Sequence, residues 1–190
     1  LGSGGVMLPN HAPLLVAEQY GTLAQMFPGR IDLGLGRAPG TDPVTAHALN
    51  RTAADPQSFA SAIWDLIGWF TNGRSNSINI EASVAAGTKI PIWVLGSTTS
   101  GASIAGQLGL PFSIAAHFAP DQVQDAISVY RQMFSPEAPT AQIEEPRVMV
   151  GVNVLVAETD EEAQFQFSTH QQMFLSVRRG TRDKLLPPVP

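Results

Sequence analysis

Four short segments of this chain carry residue types that could hold a small ligand. Arg37 directly follows the apolar run Ile31-Asp32-Leu33-Gly34-Leu35-Gly36. A guanidinium at a strand end can grip a phosphate through two parallel N–H···O bonds; an ion pair with nearby Asp42 is the plainer use. Gly96-Ser97-Thr98-Thr99-Ser100-Gly101 sets hydroxyls and small residues just before a helical pattern. Free N–H groups, the helix dipole and hydroxyl donors together make an anion seat, while N-capping by Ser97 or Thr98 is the commoner role. A phosphate between these two segments would be held from two sides. Gly4-Gly5, before Val6, would let backbone approach a flat ligand or form a bulge. Met7, within the apolar run Val6–Leu8, and His117, at the end of another, are candidates to line a pocket.

Other chemistries lack their residues. The chain has no cysteine and four histidines, none at zinc-ligand spacing, so no metal site is expected. There is no G-x-S-x-G elbow, and no Ser/His/Asp set follows from spacing. The catalytic residue is therefore left unassigned. Gly34-Leu35-Gly36-Arg37-Ala38-Pro39-Gly40 reads G-x-G-x-x-x-G, one residue too long for the dinucleotide fingerprint. Asp55 stands at a suitable distance for a ribose contact but heads a helix, which argues against a nicotinamide-binding Rossmann domain.

These segments need elements to position them. Apolar runs at Val6–Leu8, Ile31–Leu35, Ile90–Leu95, Pro111–Ala116 and Val148–Val156 read as strands. Helical patterns lie between them. One runs from the Pro9-to-Pro13 region to Pro28-Gly29. Two more are headed by Asp42-Pro43 and Asp55-Pro56, and the second has a stripe of Phe59, Ile63, Leu66, Ile67 and Phe70. Others span Ser100–Leu108 and Asp121–Phe134, and a last one opens on the Thr159/Glu162 capping box. Residues 72–89 read as a long surface loop. Alternation of this kind predicts parallel strands with right-handed crossovers, which bring the strand-end loops to one face.

Composition sets the outer bounds. The 190 residues are 44% hydrophobic and 14% charged, enough for a core and too little charge for disorder. A net charge of −5 with no basic patch argues against nucleic acid, and no run approaches the ~20 residues of a membrane span. The chain starts without Met and closes on Leu186-Pro187-Pro188-Val189-Pro190, so it reads as an internal piece of a longer protein.

Three stretches together resemble the bacterial luciferase-like flavin monooxygenases: Ser3 to His11, Ala17 to Leu23, and Pro28-Gly29-Arg30-Ile31-Asp32-Leu33-Gly34-Leu35-Gly36-Arg37-Ala38-Pro39-Gly40. Pro91 to Ser97, Gly109 to Phe112 and Ala115 to Pro120 extend the likeness over nearly the whole chain. The resemblance implies a (β/α)8 TIM-type barrel, here incomplete and covering roughly strands three to seven, as one partial domain over 1–190. It implies reduced flavin mononucleotide (FMN) and O2 acting on a small organic substrate, typically an aldehyde, an alkane or a sulfonate. A deazaflavin (F420) oxidoreductase of the same superfamily is the nearest alternative. A non-catalytic flavin-binding or structural fragment is the other, since an open sheet leaves unpaired edges.

Residue by residue, Gly4, Gly5 and Val6 match the segment under the flavin ring, where relatives carry a cis peptide. Arg37 matches the phosphate-pairing arginine, and Gly96, Ser97, Thr98 and Gly101 match the phosphate turn. Thr99 and Ser100 depart from a bulkier pair. Met7 and His117 are the weaker pocket candidates. The resemblance also implies a flavin reductase as partner, a homodimer, and a cytoplasmic location, where reduced flavin is supplied.

Overall fold

The structure, a computed structural model, describes residues 1–38, 40–48, 55–181 and 184–190. Five strands form one sheet: β1 (Val6–Met7), β2 (Leu33–Gly36), β3 (Ile92–Gly96), β4 (Phe112–Ala115) and β5 (Val148–Gly151). They lie in sequence order and every pairing is parallel. The helices are α1 (Pro13–Met26), α2 (Pro43–Ala48), α3 (Pro56–Asn72), α4 (Thr99–Gln107), α5 (Val123–Met133) and α6 (Asp160–Arg178). Parallel neighbours in sequence order are what helical crossovers of one hand produce, so the expected β/α alternation holds. The chain forms two compact units, Leu1–Gly151 and Val152–Pro190. All five strands belong to the first.

Register makes two rows across the sheet. Val6, Leu35, Val94, Phe112 and Val148 are consecutive partners. The three central members are fully buried, and Val6 and Val148 pack against the same core. One residue further along, Met7, Gly36, Leu95, Ser113 and Met149 are consecutive partners. Because strand side chains alternate, this second row faces away from the core.

Local chemistry explains where the helices start. Asp55 caps α3 by accepting from the Gln57 and Ser58 N–H groups, with Pro56 at the first helical position. These bonds and the Ser58 hydroxyl hold its carboxyl below the usual range. Phe59, Ile63, Leu66 and Phe70 are buried along the predicted stripe, joined by Trp69. Gly73, at φ +81°, closes the helix where a side chain would be strained.

One expectation gains detail and another changes. The segment 72–89 is largely exposed and is pinned to its surroundings. Asp65, buried on α3, accepts from the Ser77 N–H at 2.8 Å and from the Ser75 hydroxyl. Trp69 Nε1 donates to the Ile80 carbonyl, and Arg74 pairs with Glu81 across an antiparallel bridge. A short 3-10 turn, Ser83–Ala85, then abuts α1 so closely that a Cβ on Gly21 would lie 2.7 Å from Ala85 Cα. In addition, β5 stops at Gly151 rather than Val156. Its partner β4 ends at Ala115, opposite Gly151, so the later valines have no strand to pair with.

In the second unit, Thr159 caps α6 by accepting from the Glu162 N–H, as the capping box predicts. His170 lies between Phe167 and Phe174 on one helix face and contacts Asn153 at 3.1 Å.

Candidate functional site

The first strand segment carries a bulge. From Gly2 to Val6 the chain advances four residues while its partner advances three, from Asp32 to Leu35. Ser3 fills the gap. Its hydroxyl accepts from the Gly34 N–H at 2.9 Å and donates to the Gly34 carbonyl at 3.0 Å. Gly34 has to be glycine, because a Cβ there would stand 2.1 Å from the Ser3 carbonyl oxygen.

Gly4 and Gly5 therefore sit in the bulge, ahead of β1. The peptide between them is trans, as are all others among the described residues, so the cis bond implied by the resemblance is not present. Trans is the lower state for a non-proline bond by about 2.5–4 kcal/mol, and the bulge accommodates both glycines without leaving it. Gly4 has open space where a Cβ would be. At Gly5 that space is taken by the Gly34 carbonyl and a Leu95 methyl, each 2.9 Å away.

Side chains from the inner row cover the remaining glycines. Leu95 leans over Gly34 and Gly5, and Met7 leans over Gly36 and Gly40. Gly34 and Gly36 in β2 and Gly40 after it thus make room for a thioether and an isobutyl group. The result is a largely apolar inner surface one step below the strand ends.

Above this surface, two of the predicted segments meet. The Arg37 guanidinium donates to the Ser100 hydroxyl at 3.2 Å, across 63 residues of sequence. Among the described residues Arg37 has no carboxylate partner. Asp42, the expected alternative, instead engages Thr45 through its N–H at 3.0 Å and its hydroxyl at 2.7 Å.

The start of α4 is open. Thr98 is the N-cap in an extended conformation and makes no side-chain cap bond, and the hydroxyls of Ser97, Thr98 and Thr99 have no hydrogen bond among the described residues. Gly96 and Gly101 bring the strand end and the helix start together, since a Cβ on either would touch the other's Cα at 3.5 Å. The site offers a fixed guanidinium, free hydroxyls and the N–H groups of a helix start. That set suits an anion.

His117 is bonded to the end of β5. Its backbone N–H donates to the Gly151 carbonyl at 3.2 Å and its Nδ1 meets the same oxygen at 3.1 Å. Its ring lies tilted against Phe118, centroids 4.2 Å apart, and closes over Gly151, where a Cβ would be 3.2 Å away. It fastens the end of β5 to the turn after β4. Among the described residues no three His, Asp or Glu side chains gather as a metal would require. A hollow of about 360 Å³ lies between α1 and the first residues of the β1 and β2 segments, lined by Leu1, Tyr20, Phe27 and Asp32. That is the opposite end of the strands from Arg37.

Ser3, Leu95, Ser100 and Ser113 were not singled out from sequence as site residues. Ser113 had one readable signal, a polar residue alternating with Phe112 and Ile114. The pairing of Ser3 with Gly34 is visible only once the bulge is known.

Comparison with known proteins supplies a family. The sequence profile of the luciferase-like monooxygenases matches residues 1–185. A luciferase-like monooxygenase of Escherichia coli (strain K12) is 47% identical over 190 residues, covering 100% of this chain and 56% of that protein. The crystal structure of apo-MsnO8 superposes with a TM-score of 0.81 at 33% identity, over 98% of this chain and 55% of that one. The FMN complex of the oxygenating constituent of 3,6-diketocamphane monooxygenase from the CAM plasmid of Pseudomonas putida shares the fold. Its TM-score is 0.64 at 17% identity, over 95% of this chain and 61% of that one. The chain spans little more than half the length of the curated relatives it matches. The sheet is that of an incomplete TIM-type barrel.

Proposed function

From the premise that this chain belongs to the luciferase-like monooxygenase family, we propose that it carries the phosphate seat of an FMN site. The intact enzyme would use reduced flavin and O2 on a small organic substrate. The observation that carries this reading is the bond from Arg37 to Ser100, which holds a guanidinium against an uncapped helix start.

The residues fit the group. Arg37 would balance the charge of the phosphate tail, and Ser97, Thr98 and the first N–H groups of α4 would donate to its oxygens. Gly96 and Gly101 keep strand and helix close enough for those donors to converge. Met7 and Leu95 supply an apolar, water-excluding surface beside that seat. Gly4, Gly5 and Val6, at the head of β1 with Gly5 against Leu95, would accommodate the ring. Bound flavin supplies the redox chemistry with oxygen, and the protein supplies binding, orientation and dryness.

Reduced flavin would come from a reductase, which favours a cytoplasmic setting, and a homodimer is the proposed assembly. No described helix is long and apolar enough to cross a membrane.

The test is an equilibrium titration of FMN, riboflavin and F420. FMN should bind about ten- to a hundredfold tighter than riboflavin, the range of one or more charge-assisted hydrogen bonds. Tighter binding of F420 would move the reading to the deazaflavin enzymes. FMN binding without turnover would favour a non-catalytic flavin binder.

A further inference from the structure

The inner row holds one hydrogen-bonding side chain, Ser113. Its neighbours in register are Leu95 on β3 and Met149 on β5, with Met7 and Gly36 beyond Leu95. Phe112 and Ile114 on either side of it are fully buried in the core, so Ser113 projects from the opposite face. It is half-buried there, and its hydroxyl makes no hydrogen bond among the described residues.

Among the described residues nothing bonds to a hydroxyl at this place. Serine gives little to a strand, and every other side chain in the row is apolar. The thioethers of Met7 and Met149 can adapt to an irregular apolar shape. No basic side chain stands in the row to balance an anion, and an unpaired charge against apolar surface is costly. The row lies one step below Arg37 and two below Ser97, so whatever rests on it is next to the cofactor seat.

We infer that Ser113 is a specificity-determining residue: its hydroxyl holds the single oxygen of an otherwise apolar, uncharged substrate lying across Met7, Leu95 and Met149. The inference rests on the flavin monooxygenase reading of the same site. It selects a carbonyl-bearing hydrocarbon over a plain alkane, which cannot use the hydroxyl, and over a sulfonate, which lacks a counter-charge.

The protein has five methionines, at 7, 26, 133, 149 and 173. With carbon-13 methyl labels, Met7 and Met149 report on the row, while Met26, Met133 and Met173 serve as references. The probes are a six-carbon methyl ketone, n-hexane and hexanesulfonate. The ketone should shift Met7 and Met149 saturably and bind tighter than the other two. Ser113→Ala should weaken the ketone about three- to tenfold, the worth of one neutral hydrogen bond, and leave hexane unchanged. Ser113→Thr, which keeps a hydroxyl, should restore the ketone.

Equal loss for ketone and hexane in Ser113→Ala would overturn the inference, as would tightest binding of the sulfonate or shifts confined to the reference methionines. An FMN-versus-riboflavin titration on the same samples separates the two readings. Normal FMN preference without ketone selectivity removes the role of Ser113 alone. Ketone selectivity without FMN preference removes the flavin reading alone.

Discussion

The Arg37 guanidinium and the Ser100 hydroxyl are 3.2 Å apart, and their bond ties the end of β2 to the first turn of α4. Arginine's long side chain carries substantial rotamer entropy. A partner that fixes it before ligand arrives lowers the cost of binding. The same bond joins two segments whose sequence separation hides any relationship between them.

Glycine at 34 should be indispensable, and glycine at 4 should not. A Cβ at Gly34 meets the Ser3 carbonyl at 2.1 Å, while one at Gly4 meets nothing within 4 Å. Gly34→Ala is expected to cost about 3 kcal/mol or more, the upper end of overpacking effects. Gly4→Ala should stay within about 0.5 kcal/mol. Urea unfolding midpoints of the two variants measure the contrast.

Tyr130 gives the fold an alkaline limit. The side chain is fully buried; its hydroxyl donates to the Leu110 carbonyl and accepts from the Arg147 N–H, both at 3.0 Å. Burial pushes its pKa up, against the opposing influence of Arg147. In the unfolded chain tyrosine ionises near pH ~10, and the folded value lies above that. Its contribution is therefore fully present below about pH 10 and is lost as pH rises through the folded value. Tyr130→Phe should cost about 1–3 kcal/mol at neutral pH, since the buried Leu110 carbonyl and the part-buried Arg147 N–H lose their partner, and should flatten the alkaline decline. Urea midpoints from pH 8 upward, wild type against variant, read both effects.

Much of the fold was legible in the sequence because it rests on local signals. Pro56 after Asp55, Gly73 at the end of α3 and Thr159 before Glu162 each fix a helix boundary within a few residues. The apolar runs from Ile90 and Pro111 are too short and too continuous to be anything but buried strands here. The exceptions are long-range. Nothing near 75–80 announces that Asp65 and Trp69 on α3 will pin that segment. The overrun of β5 toward Val156 came from valines that alternate like a strand but have no neighbour to pair with.

The site divides in the same way. Arg37 and the hydroxyl-rich turn were readable because each residue type suits an anion on its own. Their convergence, and the part Ser100 plays in it, depends on β2 and β3 being adjacent. The packing around the glycines could not be read from their neighbours in sequence. Gly5, Gly34 and Gly36 are explained by a bulge and by the side chains of Leu95 and Met7, which only the register reveals. His117 ends a strand, as a ligand-facing residue would, yet its ring is engaged with Gly151.

The most direct measurement is the binding of FMN and of riboflavin to Arg37→Ala. The two ligands share the ring system and differ by the phosphate. The account predicts at least a tenfold loss for FMN, as expected for a charge-assisted contact, with riboflavin unchanged within about twofold. An equal loss for both ligands, or none for either, would contradict a phosphate seat at Arg37.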